Sequence, residues 1–198
     1  MEKRIYLLRH GRTASDRRYL GATDIPLAQA GVAQIVAVQK SLREKKFDAV
    51  FCSPLRRCRE TATILNLDTE IEFCAALQEI DFGRWENKTF DEVAEEEGTL
   101  VASWQQEPTH FTFPEGESLA AFALRMNTIV EMIQGHSGQQ ILLITHGGVI
   151  RYLICKFLRI HEAHNMLFGV HPGRLAIVDL FSQGGILSGL NLSEVFDG

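Results

Sequence analysis

The 198-residue chain contains no apolar run near the length needed to span a bilayer, so membrane insertion is not expected. Cysteine is scarce. The four thiols, Cys52, Cys58, Cys74 and Cys155, form no C-x-x-C pair, which argues against a disulfide framework or a structural zinc site and favours buried thiols. Lys and Arg number 20 against 25 Asp and Glu, and the resulting net charge of -5 disfavours a general nucleic-acid surface. The first residues, Met1-Glu2-Lys3-Arg4, lead into a short apolar strand without a signal-like apolar region or a small-residue cleavage site, so the expected location is the cytoplasm. Repeats, low-complexity tracts and Gly/Ser/Pro-rich linkers are also missing. One domain over residues 1–198 is the expectation.

What is present is an ordinary globular composition, 45% hydrophobic and 23% charged, with strands and helices in alternation. A strand over about residues 4–8 precedes a helix carrying Val32, Ile35, Val36 and Leu42. A second strand over 48–52 exits at Ser53-Pro54, read as a cap and first helical position, into a helix reaching about residue 65. Residues 70–73 suggest a third strand. Residues 78–115 read as a loop-rich insertion over the site, with one acidic solvated helix at about 91–97. Leu119, Phe122, Met126, Ile129, Val130 and Ile133 then form a helical stripe, which suits the core or, in a homodimer, a second copy. Ile141-Leu142-Leu143-Ile144 is a fully buried strand, followed by a helix with Val149, Ile150, Leu153, Ile154, Phe157 and Leu158 on one face. Residues 175–180 and 186–192 form a closing hairpin. This order predicts an α/β fold, a three-layer α/β/α sandwich with a mostly parallel sheet.

Leu8-Arg9-His10-Gly11 stands at the end of the first strand and Thr145-His146-Gly147-Gly148 at the end of the buried strand. In such sheets ligands bind beyond the carboxyl ends of the strands. The two histidines are therefore expected to meet there. Arg offers paired donors and imidazole can donate or attack, so the pair suits a phosphoryl group. Arginines crowd the same segments, Arg9, Arg12, Arg17 and Arg18 in one and Arg56, Arg57 and Arg59 in another, which predicts a locally positive cleft in an acidic protein.

With Pro26-Leu27 and Gly31, Ser53-Pro54-Leu55-Arg56-Arg57-Cys58-Arg59-Glu60-Thr61-Ala62, Leu77-Gln78-Glu79-Ile80-Asp81-Phe82-Gly83 and Pro114-Glu115-Gly116-Glu117-Ser118, these motifs resemble the histidine phosphatase superfamily, the phosphoglycerate mutase-like proteins. The resemblance covers nearly the whole chain. It implies His10 as nucleophile, with its other ring nitrogen held protonated by a backbone carbonyl or similar acceptor, and Arg9 and Arg57 as clamps on the phosphate oxygens. His146 would oppose His10 as a phosphate ligand, with Gly147 and Gly148 allowing close backbone approach at a helix N-terminus. Glu79 takes the family position of the general acid, with Asp81 and Glu86 as rivals close by. Two positions depart from the pattern: Asp16 replaces a common Asn, and Arg12 a more usual Glu or Gln. Both are candidate substrate contacts. His171 is expected near the cleft, and His110, His136, His161 and His164 on the surface.

The insertion is shorter than in the longer mutases, which favours delivery of the phosphoryl group to water over its return to the substrate. The resemblance thus implies a phosphomonoester hydrolase working through phosphohistidine, without metal or other cofactor, on a small phosphorylated metabolite. His161 and His164 lack a third ligand, so no metal site is expected. Tyr19-Leu20-Gly21, Pro26-Leu27, Trp104 and residues 114–118 most resemble the α-ribazole phosphatase branch, which serves cobalamin synthesis, and broad-specificity phosphatases share the pattern. The alternatives are a mutase-type phosphotransferase and a noncatalytic phospho-ligand binding protein.

Overall fold

In the computed structural model, residues 2–15 and 17–194 are described. Strand β1 (Lys3–Arg9) carries Ile5 to Leu8 fully inside, and its neighbour β4 (Gln140–Thr145) is equally apolar. They pair in parallel with Arg9 opposite Thr145. The remaining strands are β2 (Ala49–Cys52), β3 (Ile71–Phe73), β5 (Leu175–Phe181) and β6 (Gly184–Leu192), and the sheet order is β3-β2-β4-β1-β5-β6. β3, β2, β4 and β1 run parallel; β5 and β6 are antiparallel additions beside β1. The hydrogen-bonded hairpin turns at Ser182 and Gln183.

Successive residues of a strand point to opposite faces, and the core divides accordingly. Tyr6, Leu8, Val50, Leu142 and Ile144 pack under α1 (Gln29–Leu42) and α2 (Arg56–Leu65). Ile5, Leu7, Phe51, Ile141 and Leu143 face α5 (Leu119–Gly135) and α6 (Gly147–Leu158). The three-layer sandwich follows. α5 starts at Ser118, whose hydroxyl accepts from the Ala121 amide, and it buries Phe122, Met126, Ile129 and Ile133. That stripe is core.

Local expectations needed correction in three places. α1 turns Gly31, Ile35, Val38 and Leu42 inward, leaving Val32 and Val36 exposed. Ser53 does not cap α2: that helix starts three residues later, and its Arg56 amide donates to Asp24 Oδ1 at 2.5 Å. The region after Glu79 is also more helical than expected. It holds the acidic helix α3 (Phe90–Glu96), closed by a Thr89–Glu92 capping box, and a further helix α4 (Gly98–Gln106). Behind them Trp85, fully buried, meets Trp104, Phe111 and Phe113 at ring separations of 5.3–5.7 Å.

Candidate active site

Because β1 and β4 are adjacent and in register, the residues that leave them are neighbours too. The His10 amide donates to the Thr145 carbonyl at 2.9 Å, and the His10 and His146 rings lie 5.1 Å apart, inclined by 61°. Both are buried. His10 Nδ1 sits 2.8 Å from the Gly11 carbonyl, an acceptor, so Nδ1 carries the proton and Nε2 keeps the lone pair. Burial, then the charges of Arg9 and Arg57, hold the His10 pKa well below the ordinary imidazole value. The same causes, burial first and Arg57 next, depress His146.

His146 is fixed from both sides. Its Nδ1 accepts from Arg57 Nε at 3.2 Å, so Nε2 bears the proton and donates to Ser53 Oγ at 2.8 Å. Arg57 is wholly buried, and its other donors reach the carbonyls of Thr23 at 2.8 Å, Gly21 at 2.7 Å and Leu20 at 3.4 Å. It therefore stands behind His146 and braces the 20–23 loop. The amides of that loop have a partner of their own. Glu86 accepts from Gly21 and Ala22 at 2.9 Å, from the Thr23 amide at 3.2 Å and from its hydroxyl at 2.5 Å.

A cleft of about 240 Å³ opens beside His10, walled by Arg9, Arg12, Glu79, Gly147, Gly148 and Arg151. Arg9 donates through Nη1 to the Val170 carbonyl at 2.7 Å, and its buried Nε lacks a partner among the described residues. Burial, and to a lesser degree Arg151 and Arg57, pull its pKa down to about 10, so it remains cationic at neutral pH. A Cβ on Gly147 would lie 3.2 Å from the Arg9 guanidinium carbon, a contact that keeps this position small.

Glu79 arrives from the segment after β3. Its Oε2 accepts the Gly148 amide at 2.9 Å at the start of α6, where peptide dipoles favour negative charge. A Cβ on Gly148 would come within 2.4 Å of Glu79 Oε1. Behind it, Thr145 Oγ1 donates to the Leu77 carbonyl at 2.7 Å, and Arg125 donates to those of Ala76 and Gln78 at 2.7 Å while pairing with Glu117. The rivals for the acid role point elsewhere: Glu86 is tied to the 20–23 loop, and Asp81 accepts the Gly83 amide at 2.9 Å outside the cleft wall.

Of the other positions named from the sequence, Arg12 is exposed on the cleft rim, and Asp16 lies outside the described residues. Arg56 pairs with Glu60, and Arg18 with Glu92, at the surface. His171 is exposed and its neighbour Pro172 lines the cleft instead. His136 is half-buried rather than on the surface, accepting the Gly138 amide at 2.9 Å. Among the described residues, no three His, Cys, Asp or Glu side chains are grouped to hold a metal, and no helix is long and apolar enough to cross a membrane. Sequence reasoning missed Arg151. The available signal was helical spacing, since it stands three and four residues after the two glycines and shares their face of α6.

The sequence profile of the histidine phosphatase superfamily, branch 1, matches residues 5–193. The chain belongs to that superfamily, and its activity is that of a phosphatase. It is 29% identical over 98% of both chains to the adenosylcobalamin/α-ribazole phosphatase of Salmonella typhimurium. Phosphoserine phosphatase 1 of Hydrogenobacter thermophilus is 25% identical, with 96% of this chain and 92% of that one covered. The crystal structure of the α-ribazole phosphatase from Shigella flexneri superposes with a TM-score of 0.89 at 26% identity, covering 98% of this chain and 99% of that one.

Proposed function

We propose that this phosphatase hydrolyses phosphomonoesters through a phosphohistidine on His10, and that its substrate is α-ribazole 5'-phosphate. The observation that carries the mechanism is the Nδ1-to-Gly11 hydrogen bond. It makes Nε2 the nucleophilic atom of a neutral ring at the wall of a cationic cleft. Nε2 attacks phosphorus and the ester oxygen leaves; Arg9 and Arg151 balance the charge on the phosphoryl oxygens. Arg57 supplies positive potential from behind and holds the neutral His146 ring in place beside His10. Glu79, as the acid, protonates the departing alkoxide, and as carboxylate it then takes a proton from the water that cleaves the phosphohistidine. This cycle requires no metal.

The single catalytic domain over residues 1–198 would place the 78–115 insertion beside the cleft, and the expected setting is the cytoplasm. The substrate choice rests on the α-ribazole phosphatases among its relatives. Phosphate release from α-ribazole 5'-phosphate, phosphoserine and 3-phosphoglycerate, measured with and without excess chelator, tests the reading. The His10→Ala protein runs in parallel. The expected result is chelator-resistant turnover, highest on α-ribazole 5'-phosphate and lost in the variant, with a phosphoprotein trapped by alkaline quench of the native enzyme. Isomerisation of 3-phosphoglycerate without release of phosphate would identify a mutase.

A further inference from the structure

We infer that Arg125 and Glu117, outside the cleft, are the positioning pair of the general acid: together they hold the main chain on both sides of Glu79 and so fix where its carboxyl group stands. The inference rests on the acid role proposed for Glu79 above and adds the residues on which that role depends.

An acid serves only if its proton comes within hydrogen-bond reach of the departing oxygen, and a misplacement of about 1 Å can cost about a hundredfold. Glu79 belongs to irregular chain, so neither a strand nor a helix sets its position. Its neighbours Leu77 and Ile80 are anchored in the core, whereas Glu79 itself turns into the cleft. The carbonyls along this stretch need donors from elsewhere.

Arg125, on α5, supplies them. Its Nη1 donates to the carbonyls of Ala76 and Gln78, each at 2.7 Å, and its Nη2 to that of Glu79 at 3.5 Å. The Leu77 carbonyl between them accepts from Thr145 Oγ1 at 2.7 Å, so every carbonyl from Ala76 to Glu79 is held. Glu117, just before α5, takes the remaining donors of Arg125, Nε at 3.0 Å and Nη2 at 2.7 Å. These contacts match the five N–H bonds of a guanidinium, which leaves none for a substrate. Glu117 also reaches the chain beyond the acid. Its amide donates to the Asp81 carbonyl at 2.9 Å, and its carboxylate accepts the Asp81 amide at 3.4 Å. The 76–81 segment is thus gripped upstream by the cation and downstream by the anion, while the Glu79 carboxylate meets the Gly148 amide at its far end.

The pair does not touch the reacting groups. Arg125 and Glu117 border a separate hollow with Ala76, Gln78 and Asp81, and among the described residues that hollow and the phosphate cleft share Glu79 alone. Any effect on the chemistry must pass through Glu79. The ion pair also explains why the brace can be charged. An unpaired cation behind an acid favours the carboxylate, which cannot donate, and Glu117 cancels that charge.

The test uses two esters of nearly the same shape: 4-nitrobenzyl phosphate, whose alkoxide must be protonated, and 4-nitrophenyl phosphate, whose phenolate leaves without a proton. kcat/KM covers each reaction up to departure of the alcohol, and the benzyl-to-phenyl ratio does not depend on how much of a variant is folded. Arg125→Gln is expected to lower that ratio about tenfold, and Glu117→Gln, which keeps one oxygen for Arg125, about threefold. Glu79→Gln should lower it by at least about a hundredfold, and adding Arg125→Gln to Glu79→Gln should lower it no further. A native ratio in Arg125→Gln or in Glu117→Gln, or a further drop in the double variant, overturns the positioning role and leaves Glu79 as the acid. A native ratio in Glu79→Gln instead removes Glu79 as the acid, and the positioning role falls with it.

Discussion

Arg57 donates through Nε to Nδ1 of His146 at 3.2 Å, and neither side chain reaches solvent. One hydrogen bond thus joins a residue at the start of α2 to one at the end of β4, and it sets the imidazole tautomer, because guanidinium has donors only.

Arg57→Lys tests that relationship. Lysine keeps the charge, but a single ammonium cannot reach His146 Nδ1 and the carbonyls of Leu20, Gly21 and Thr23 together. At least two buried acceptors then lose a charged donor, a loss of about 3–6 kcal/mol at 1.5–3 kcal/mol each. Urea unfolding should show that drop, and kcat should fall about a hundredfold as the loop and ring lose their common brace. Native stability in the variant would mean that the carbonyl contacts are incidental.

Acid should unfold the protein earlier than its carboxylates require. His10 and His146 have folded pKa values well below the ordinary imidazole value, owing to burial and the nearby arginines. The unfolded chain then binds protons near pH 6.5 that the native protein refuses. Stability is therefore full above that pH and declines as the pH falls below it, by up to about 1.4 kcal/mol per pH unit for each histidine. Asp179, lowered by its hydrogen bond from Arg4, and the glutamates lowered by their own partners, Glu60 and Glu162 among them, act only as the pH approaches the ordinary carboxylate range, so the window from about 6.5 to 5.5 isolates the imidazoles. Unfolding free energies at pH 7.5 and 5.5 should differ by about 3 kcal/mol, and His146→Asn should lower that difference. A flat profile over this range would show that the two rings titrate normally.

Glu79→Gln preserves the shape and an acceptor for the Gly148 amide but removes the transferable proton. Loss of a positioned acid slows an alkyl ester by roughly 10²–10⁴. On 4-nitrophenyl phosphate, whose leaving group needs no proton, the first transfer should survive and phosphohistidine should accumulate. Gly148→Ala supplies a second route to the same end, because a Cβ there would collide with Glu79 Oε1 at 2.4 Å. If Glu79→Gln turned over alkyl phosphates normally, the acid would have to be another group.

The parts of this site that were legible in the sequence are those set by local pattern. Ile5 to Leu8 and Ile141 to Ile144 are uninterrupted apolar blocks, and a residue directly after such a strand has only one place to go in a parallel sheet. That is why His10 and His146 could be brought together from spacing alone. Arg57 behind His146 was not legible, because its position depends on the 20–23 loop folding back over α2, a contact without periodicity. Ser53 looked like a cap and instead meets His146 Nε2, since α2 begins three residues later with Asp24 at its first turn. α4 escaped notice because Gly98 breaks its opening and only Val101 is buried along it. Arg151 was hidden inside an apolar helical stripe whose other members are core.

Glu86 should prove as important to the cleft as the residues that line it. Its carboxylate receives the amides of Gly21, Ala22 and Thr23, the Thr23 hydroxyl and the Phe82 amide, while Arg57 holds the carbonyls of the same loop. The loop is thus clamped between an anion on its amide side and a cation on its carbonyl side. Glu86→Gln replaces one accepting oxygen by a donor that faces those amides, so several contacts are lost at once. At roughly 1 kcal/mol net for each, the variant should lose about 2–4 kcal/mol of stability. Because Glu86 acts through Arg57 and His146 rather than on the substrate, kcat should fall while the pH profile of kcat keeps the shape it has in the native enzyme. Glu86→Asp, which retains the charge, should recover part of kcat. A shifted pH profile in Glu86→Gln would instead place Glu86 among the groups that exchange protons with the substrate.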